Sequence, residues 1–206
     1  MAEATFRKST FREYFESLVV AVILALFVRT FGFQAFKIPT GSMEPNLLVG
    51  DHLLVNKFIF SPAASSLERA LLPMRDVERG EVLVFKFPED PERDFIKRVI
   101  GLPGETLELR GQTVFINGAP LAEPYAHYIL PSAGTGDPSD VRRKYGPVTI
   151  PAGHYFMMGD NRDDSQDSRY WGFLPATYVK GRALFIYWSF GGPQGTRWGR
   201  LLHQIH

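Results

Sequence analysis

One serine stands in a segment that suits a nucleophile. Ser42 lies in IPTGSMEP, residues 38–45. The glycine allows the backbone to approach a ligand closely, and the two prolines stiffen the flanks. A serine presented on such a loop is a candidate nucleophile, although Gly-Ser near proline also occurs in ordinary turns.

One lysine has surroundings that suit a general base. Lys97 lies in FIKRVIGLPG, residues 95–104, and strand alternation places it on one face with Phe95 and Val99. Apolar surroundings disfavour the ammonium form and lower the pKa of a lysine, which a base at neutral pH requires. The same pattern also fits an edge-strand lysine that faces solvent.

Two further segments complete the set. Residues 158–172, MGDNRDDSQDSRYWG, are rich in short polar and charged side chains. They predict a tight loop held by Asx turns and by carboxylate–arginine pairs. Its aspartates suggest calcium, but the ligand order of an EF-hand is missing, so we predict no metal site. Residues 80–88, GEVLVFKFP, are typical of an ordinary strand.

Several other chemistries do not fit the chain. It has no cysteine, so thiol nucleophiles, thiolate metal sites and disulfides are excluded. Thr40 stands where a Gly-x-Ser-x-Gly elbow needs glycine, and no Ser-x-x-Lys, Walker or His-Glu-x-x-His motif is present. The 23 basic and 22 acidic residues give a net charge of +1, which does not suggest a nucleic-acid partner. We predict no cofactor.

The body of the chain is predicted to be mainly β. Short β-like runs alternate with Gly and Pro, which together make 34 of 206 residues. We predict an antiparallel β-sandwich or partly open barrel, with loop excursions at residues 61–79 and 120–146. The predicted strands cover residues 53–60, 82–87, 95–100, 106–109, 113–116, 148–150, 154–158 and 178–190. Residues 110–112 are predicted to join two of them as a short hairpin loop, and Asn117-Gly118 predicts a type I′ turn just after. The C-terminal residues 197–206 match no motif.

The N-terminal residues predict a polar tail and a membrane anchor. Residues 17–28, SLVVAVILALFV, are apolar after their first serine, and Arg29 interrupts the run. A span needs about 20 residues, so we predict one uncleaved transmembrane helix over residues 17–36, after a tail of residues 1–16. A cleaved signal peptide would need a small-x-small site, for which the following residues are poor. A buried helix of a soluble domain is the other alternative.

Basic residues before the apolar run predict its orientation. Arg7, Lys8 and Arg12 precede the run, and such residues stay on the cytoplasmic side. Residues 37–206 would then form a domain on the outer side of the membrane.

Taken together and in this order, four segments resemble those of the bacterial type I signal peptidases. These are membrane-bound endopeptidases that remove signal peptides from exported proteins with a serine–lysine dyad. The resemblance runs from the anchor to about residue 190 and is carried by IPTGSMEPNLLVGD, GEVLVFKFPEDP, IKRVIGLPGE and MGDNRDDSQDSRYWGFLP. Glu105 stands where relatives often carry aspartate, and it keeps the charge.

The resemblance implies a role for each matching residue. Ser42 would be the nucleophile and Lys97 the general base. The Thr40 hydroxyl would help to bind the oxyanion, and Ser165 would orient the lysine amine. Ion pairs of three further residues would hold the loop: Asp160, Asp167 and Arg169. We expect apolar residues to wall the substrate pocket: Phe36, Ile38, Met43, Leu47, Leu83, Phe95 and Ile96.

The resemblance also implies partners and a location. The substrates would be secretory pre-proteins, each bound as an extended strand beside the segments near Ile38 and Val82–Phe85. The lipid bilayer would be the second partner, and the bacterial plasma membrane the location. Two alternatives are a conjugation-pilus maturation peptidase with a similar site and a non-catalytic, membrane-anchored β-domain that binds peptides.

Overall fold

The computed structural model describes residues 10–27, 32–57, 75–130 and 140–205. Its first element is the helix α1 (Thr10–Phe27). Among the residues described, none of the helices has the length and apolar character that a bilayer crossing needs. The end of the predicted anchor, residues 17–36, is not helical as expected, since Phe33–Lys37 forms the strand β1 and pairs with a neighbouring strand.

In the described part of the chain, twelve strands and one short α-helix follow α1. The strands are β1 (Phe33–Lys37), β2 (Asp51–Asn56), β3 (Val82–Phe87), β4 (Asp90–Gly101), β5 (Thr106–Arg110), β6 (Thr113–Ile116), β7 (Ala119–Pro120), β8 (Lys144–Thr149), β9 (His154–Met158), β10 (Leu174–Pro175), β11 (Val179–Ser189) and β12 (His203–Gln204). The short helix α2 (Ser168–Trp171) lies between β9 and β10.

The strands form two antiparallel sheets. The larger has the order β1-β2-β11-β3-β4-β9-β10, with β12 on β11, and the smaller has the order β7-β6-β5-β8. The predicted mainly β, antiparallel class is confirmed. Both sheets are open, because their end strands do not pair with each other among the described strands, and neither sheet is a closed barrel.

The second sheet begins with the predicted hairpin. Arg110 pairs with Thr113, so a two-residue turn joins β5 to β6. Asn117 and Gly118 then have φ of 51° and 82°. Positive φ at both central residues is what a type I′ turn requires. The turn reverses the chain from β6 into β7.

Other boundaries differ from the predicted ones. Strand β4 begins five residues before residue 95, at Asp90, and β8 begins at Lys144, inside the predicted excursion of residues 120–146. The predicted strand 53–60 begins at Asp51. Its last residues, 58–60, most of the excursion 61–79 and residues 131–139 lie outside the described residues.

The buried side chains form three clusters that fix the strands around the candidate site. One packs Ile38, Met43 and Leu47 against β2, β3 and β11. A second joins the two sheets through residues such as Phe156 of β9 and Leu107 of β5. A third fills the other side of β3, β4 and β9, and its members are Val77, Leu83, Phe85, Val99, Met157, Leu174 and Val179.

Candidate active site

A short 3₁₀ turn presents Ser42. The turn, Gly41–Met43, lies between β1 and β2 and follows Thr40, whose backbone is extended. Met43 is fully buried, and its carbonyl oxygen accepts a hydrogen bond of 2.9 Å from the Leu47 amide. Ser42 itself is only 7% exposed. The turn is therefore fixed on its core side.

Strand β4 brings Lys97 to this serine. The Lys97 Nζ donates to Ser42 Oγ at 2.6 Å and to the Ile96 carbonyl oxygen at 3.0 Å. The Phe95 ring centroid lies 5.4 Å from the same nitrogen. The residue is 3% exposed. The two groups that the sequence singled out, 55 positions apart, thus meet in one site.

Burial makes this lysine a usable base. It lowers the pKa of Lys97 from 10.5 to about 8, against the opposing attraction of Asp167 and Asp160. With that pKa, roughly a tenth of the amines are neutral at pH 7. A neutral amine within hydrogen-bond distance of a hydroxyl can accept its proton. The site thus places a candidate nucleophile within hydrogen-bond distance of a candidate base.

The pair opens into a cavity of about 630 Å³. Three of the residues expected to wall a substrate pocket line this cavity: Phe36, Phe95 and Ile96. The other four residues predicted as walls do not line it, because their side chains are buried in the core: Ile38, Met43, Leu47 and Leu83. The cavity wall is consequently more polar than predicted.

Four polar residues of the cavity wall were not predicted: Arg93, Asp94, Asp164 and Gln166. Arg93 lies 5.5 Å from the Phe95 ring centroid, and Asp94 forms an ion pair of 2.6 Å with Lys180. Arg93, Phe95 and Lys97 alternate along β4, so they share a face. Arg93 and Asp94 were not predicted as wall residues because the predicted strand began at residue 95, whereas β4 begins at Asp90.

The two predicted accessory hydroxyls differ in their surroundings. Thr40 is exposed, lines the cavity and makes no capping hydrogen bond with its side chain. Ser165 is buried, and within the described residues its hydroxyl makes no hydrogen bond. The expected bond between Ser165 and Lys97 is thus not formed.

Buried ion pairs hold the polar loop, as the resemblance implied. Asp160 accepts from Arg98 Nε and Nη2 at 2.8 and 2.7 Å, and Asp167 accepts from Arg169 Nε and Nη2 at 2.8 Å each. Arg169 Nη2 also donates to the Arg162 carbonyl oxygen at 2.7 Å. The loop is thereby tied both to β4 and to itself.

Asn161, which was not predicted as a site residue, joins this loop to the turn that carries Ser42. Its backbone N–H donates to the Ser42 carbonyl oxygen at 3.1 Å, and its side-chain Nδ2 donates to the Gly41 carbonyl oxygen at 3.2 Å. An asparagine can satisfy backbone groups in this way when they have no strand partner. The loop and the turn that carries Ser42 therefore form one unit.

Comparison with known proteins shows the family. The family model described as "Signal peptidase, peptidase S26" matches residues 11–188. The chain belongs to this signal peptidase family. It is therefore a serine endopeptidase, like the family members to which it is similar.

Relatives of this signal peptidase family member come from several bacteria. The signal peptidase I of Pseudomonas aeruginosa is 36% identical, over 88% of this chain and 74% of the relative. The probable signal peptidase I-2 of Synechocystis is 38% identical, over 88% and 75%. A crystal structure of a signal peptidase I from Enterococcus faecalis is 35% identical, with a TM-score of 0.42, over 52% of this chain and 97% of that one.

Replacing Gly159 tests how closely the loop and the turn must pack. A Cβ at this position would lie 2.3 Å from Ser165 Oγ and 2.4 Å from the Ser42 carbonyl oxygen. We expect Gly159→Ala to lower both the unfolding temperature and the rate of peptide cleavage, because the backbone at Ser42 must move. Thermal unfolding and cleavage assays on the same samples measure the two effects.

A matched variant is Gly199→Ala, whose Cβ would meet no atom within 4 Å. This control should behave like the wild type. A Gly159→Ala protein with unchanged cleavage would contradict the packing constraint.

Proposed function

We propose that this chain removes N-terminal signal peptides from exported pre-proteins, with Ser42 as nucleophile and Lys97 as general base. The observation that carries the proposal is the distance of 2.6 Å between Lys97 Nζ and Ser42 Oγ in a buried site. Membership of the signal peptidase family supports the same reaction. A non-catalytic peptide-binding domain would have no need of this pair.

The mechanism follows from the two groups. Neutral Lys97 takes the hydroxyl proton as Ser42 Oγ bonds to the scissile carbonyl carbon. The ammonium so formed gives its proton to the leaving amine, and the C–N bond breaks. Water then attacks the acyl-enzyme while Lys97 accepts a proton from it. The ester bond breaks, and the proton returns to Ser42.

Thr40 would stabilise the negative charge of the tetrahedral intermediate. Its hydroxyl lies at the cavity two residues before the nucleophile, and the Ser42 backbone N–H would be the second donor. An oxyanion donor is typically worth about 3–4 kcal/mol of barrier. The Ser165 hydroxyl, which has no partner among the described residues, would orient the Lys97 amine by turning toward it during the reaction.

The substrate would bind between two strand edges. Val82–Phe85, the predicted docking edge, is not available, because β3 pairs with β4 on one side and with β11 on the other. Edges are present on β1, which pairs only with β2 among the described strands, and at residues 94–97 of β4, where β9 no longer pairs. Both edges border the cavity. An extended peptide there would form main-chain hydrogen bonds.

The N-terminal helix supports a location at the membrane. Apolar side chains of α1, among them Leu18, Ile23 and Leu24, are more than half exposed. Apolar surface of this extent favours contact with lipid over water. We propose that α1 and the following residues anchor the chain in the bacterial plasma membrane, with the N-terminus in the cytoplasm and the β domain on the outer side.

Substitution of either member of the pair tests the proposed dyad. We expect Ser42→Ala and Lys97→Met each to reduce kcat by more than about a thousandfold, as for other nucleophile–base pairs. Cleavage of a signal-peptide-bearing precursor in detergent or lipid measures the loss. Lys86→Met, on an exposed position of β3, is the matched control and should retain activity. Wild-type turnover in either dyad variant would contradict the assignment of Ser42 and Lys97. If the wild type processes only one precursor, that result would favour a pilus maturation peptidase.

The pH dependence tests the protonation state of Lys97. Activity should rise with pH through a limb near 8, the pKa of this lysine. Because the folded pKa lies below the unfolded value of 10.5, the protonated lysine destabilises the fold below pH 8, by about 3 kcal/mol. That cost disappears as the pH rises from 8 to 10.5.

Lys97→Met should therefore be more stable than the wild type at pH 7, and the difference should shrink above pH 8. Kinetics and denaturant unfolding over this range measure both effects. An activity profile without a limb near 8 would argue against Lys97 as the base.

Thr40→Ala tests the oxyanion donor. The variant should lose about a hundred- to a thousandfold in kcat with little change in KM, because the hydroxyl would bind charge that develops only in the transition state. Thr40→Ser keeps the hydroxyl and should retain most of the activity. A change confined to KM would contradict the role.

A further inference from the structure

Asn46, four residues after Ser42, is fixed by hydrogen bonds at both ends. Its side-chain Nδ2 donates to Asp160 Oδ2 and to the Tyr125 carbonyl oxygen, each at 2.8 Å. Its own carbonyl oxygen accepts from Arg200 Nη2 at 2.8 Å. One residue thereby connects segments that are 79, 114 and 154 positions away in the sequence.

The side-chain contacts lead to the strand of the base. Asp160 is fully buried, and its carboxylate is held by both Arg98 Nε and Arg98 Nη2. Arg98 follows Lys97 directly in β4. Charge-assisted bonds of this kind are short and strong, so the carboxylate transmits the position of Asn46 to β4.

The backbone contacts lead to the nucleophile. The amide of Leu47 donates to the Met43 carbonyl oxygen at 2.9 Å, which closes the segment between Ser42 and Asn46 into a compact loop. Asn161, next to Asp160, binds the Ser42 carbonyl oxygen. Asn46 thus supplies a second link between the same two segments, at the opposite end of the nucleophile's loop.

The C-terminal segment, which matched no sequence motif, completes this arrangement. Arg200 forms an ion pair of 2.6 Å with Asp51, which is fully buried and also accepts from Ser189 Oγ at 2.6 Å. Asp51 Oδ2 accepts from the Leu48 amide as well. Arg200 therefore holds residues 46–51 at both ends, through the Asn46 carbonyl oxygen and the Asp51 carboxylate.

We propose that Asn46 is a positioning residue that fixes Ser42 against Lys97, with Arg200 holding its backbone. The proposal rests on the proposed function of that pair. An amide suits the place because its two N–H groups satisfy a carboxylate and a carbonyl oxygen together. An alanine would leave the Tyr125 carbonyl without this donor and release the loop from Asp160.

Asn46→Ala in the full chain tests this role. With a synthetic peptide that spans a signal-peptide cleavage region, we expect kcat to fall roughly ten- to a hundredfold, since a misplacement near 1 Å can cost about a hundredfold. KM should stay within about twofold. The limb of the pH profile should also move to higher pH, because a loosened site admits water to the lysine. Asn46→Gln keeps the two donors and should restore part of kcat.

Gln112→Ala is the matched control. It removes an amide-to-carbonyl hydrogen bond, from Gln112 Nε2 to the Leu130 carbonyl oxygen, in the second sheet. It should leave kcat and the pH profile unchanged, even if it lowers the unfolding temperature as much as Asn46→Ala does.

The outcomes separate this inference from the function on which it rests. Cleavage by the wild type, together with its loss in the Ser42→Ala variant, would support the function on which the inference rests. If the kcat per folded Asn46→Ala molecule then equals that of the wild type, the positioning role alone is overturned. Arg200→Ala should lower kcat too, and the double variant should lose less than the product of the two effects, because both act on one loop. A full product would overturn the part assigned to Arg200.

Discussion

The rest of the site depends on one constraint: the Lys97 amine is kept away from water and within hydrogen-bond distance of the Ser42 hydroxyl. Lys97 lies in β4, and Leu83 of the paired strand β3 is its cross-strand neighbour. Removing an ammonium from water costs free energy, which the fold must supply from its apolar clusters. The same cost would be the source of the proposed chemistry, because a lysine must be poorly hydrated to give up its proton near neutral pH. Stability and reactivity are opposed at this residue.

The charges around the lysine set how far this opposition goes. Asp167 and Asp160 attract the ammonium and raise the pKa of Lys97, whereas Arg169 lowers it. Each aspartate already has an arginine partner, so most of its field is neutralised locally. Breaking a buried pair typically costs about 3–5 kcal/mol, since it leaves an uncompensated charge. The pairs therefore serve two purposes, rigidity of the loop and a moderate field at the amine.

Local patterns predicted the parts of the molecule that depend on neighbours in sequence. The strands 82–87 and 113–116 and the turn at Asn117 have clear boundaries, set by Gly, Pro or a favoured turn pair. Strand β1 was missed because the short, mostly apolar stretch after Arg29 does not distinguish a strand from the end of a helix. Residue type and the family resemblance predicted Ser42 and Lys97 as candidate site residues, and their side chains lie within hydrogen-bond distance of each other. No local signal marks Asn46, whose partners are far away in the sequence, or the cavity walls, which depend on where each side chain points in the folded chain.

The opening between β1 and β4 has a consequence for how many different precursors one enzyme can accept. A peptide held there by its main chain offers the same amide and carbonyl groups whatever its sequence. In an extended chain, successive side chains point in opposite directions, so only every second residue would face the cavity floor. Discrimination would then fall on positions separated by a single intervening residue, and the others would be free to vary. If pre-proteins bind at this unpaired strand edge as proposed, many different sequences would be accepted while the choice of the cleaved bond would depend on few side chains.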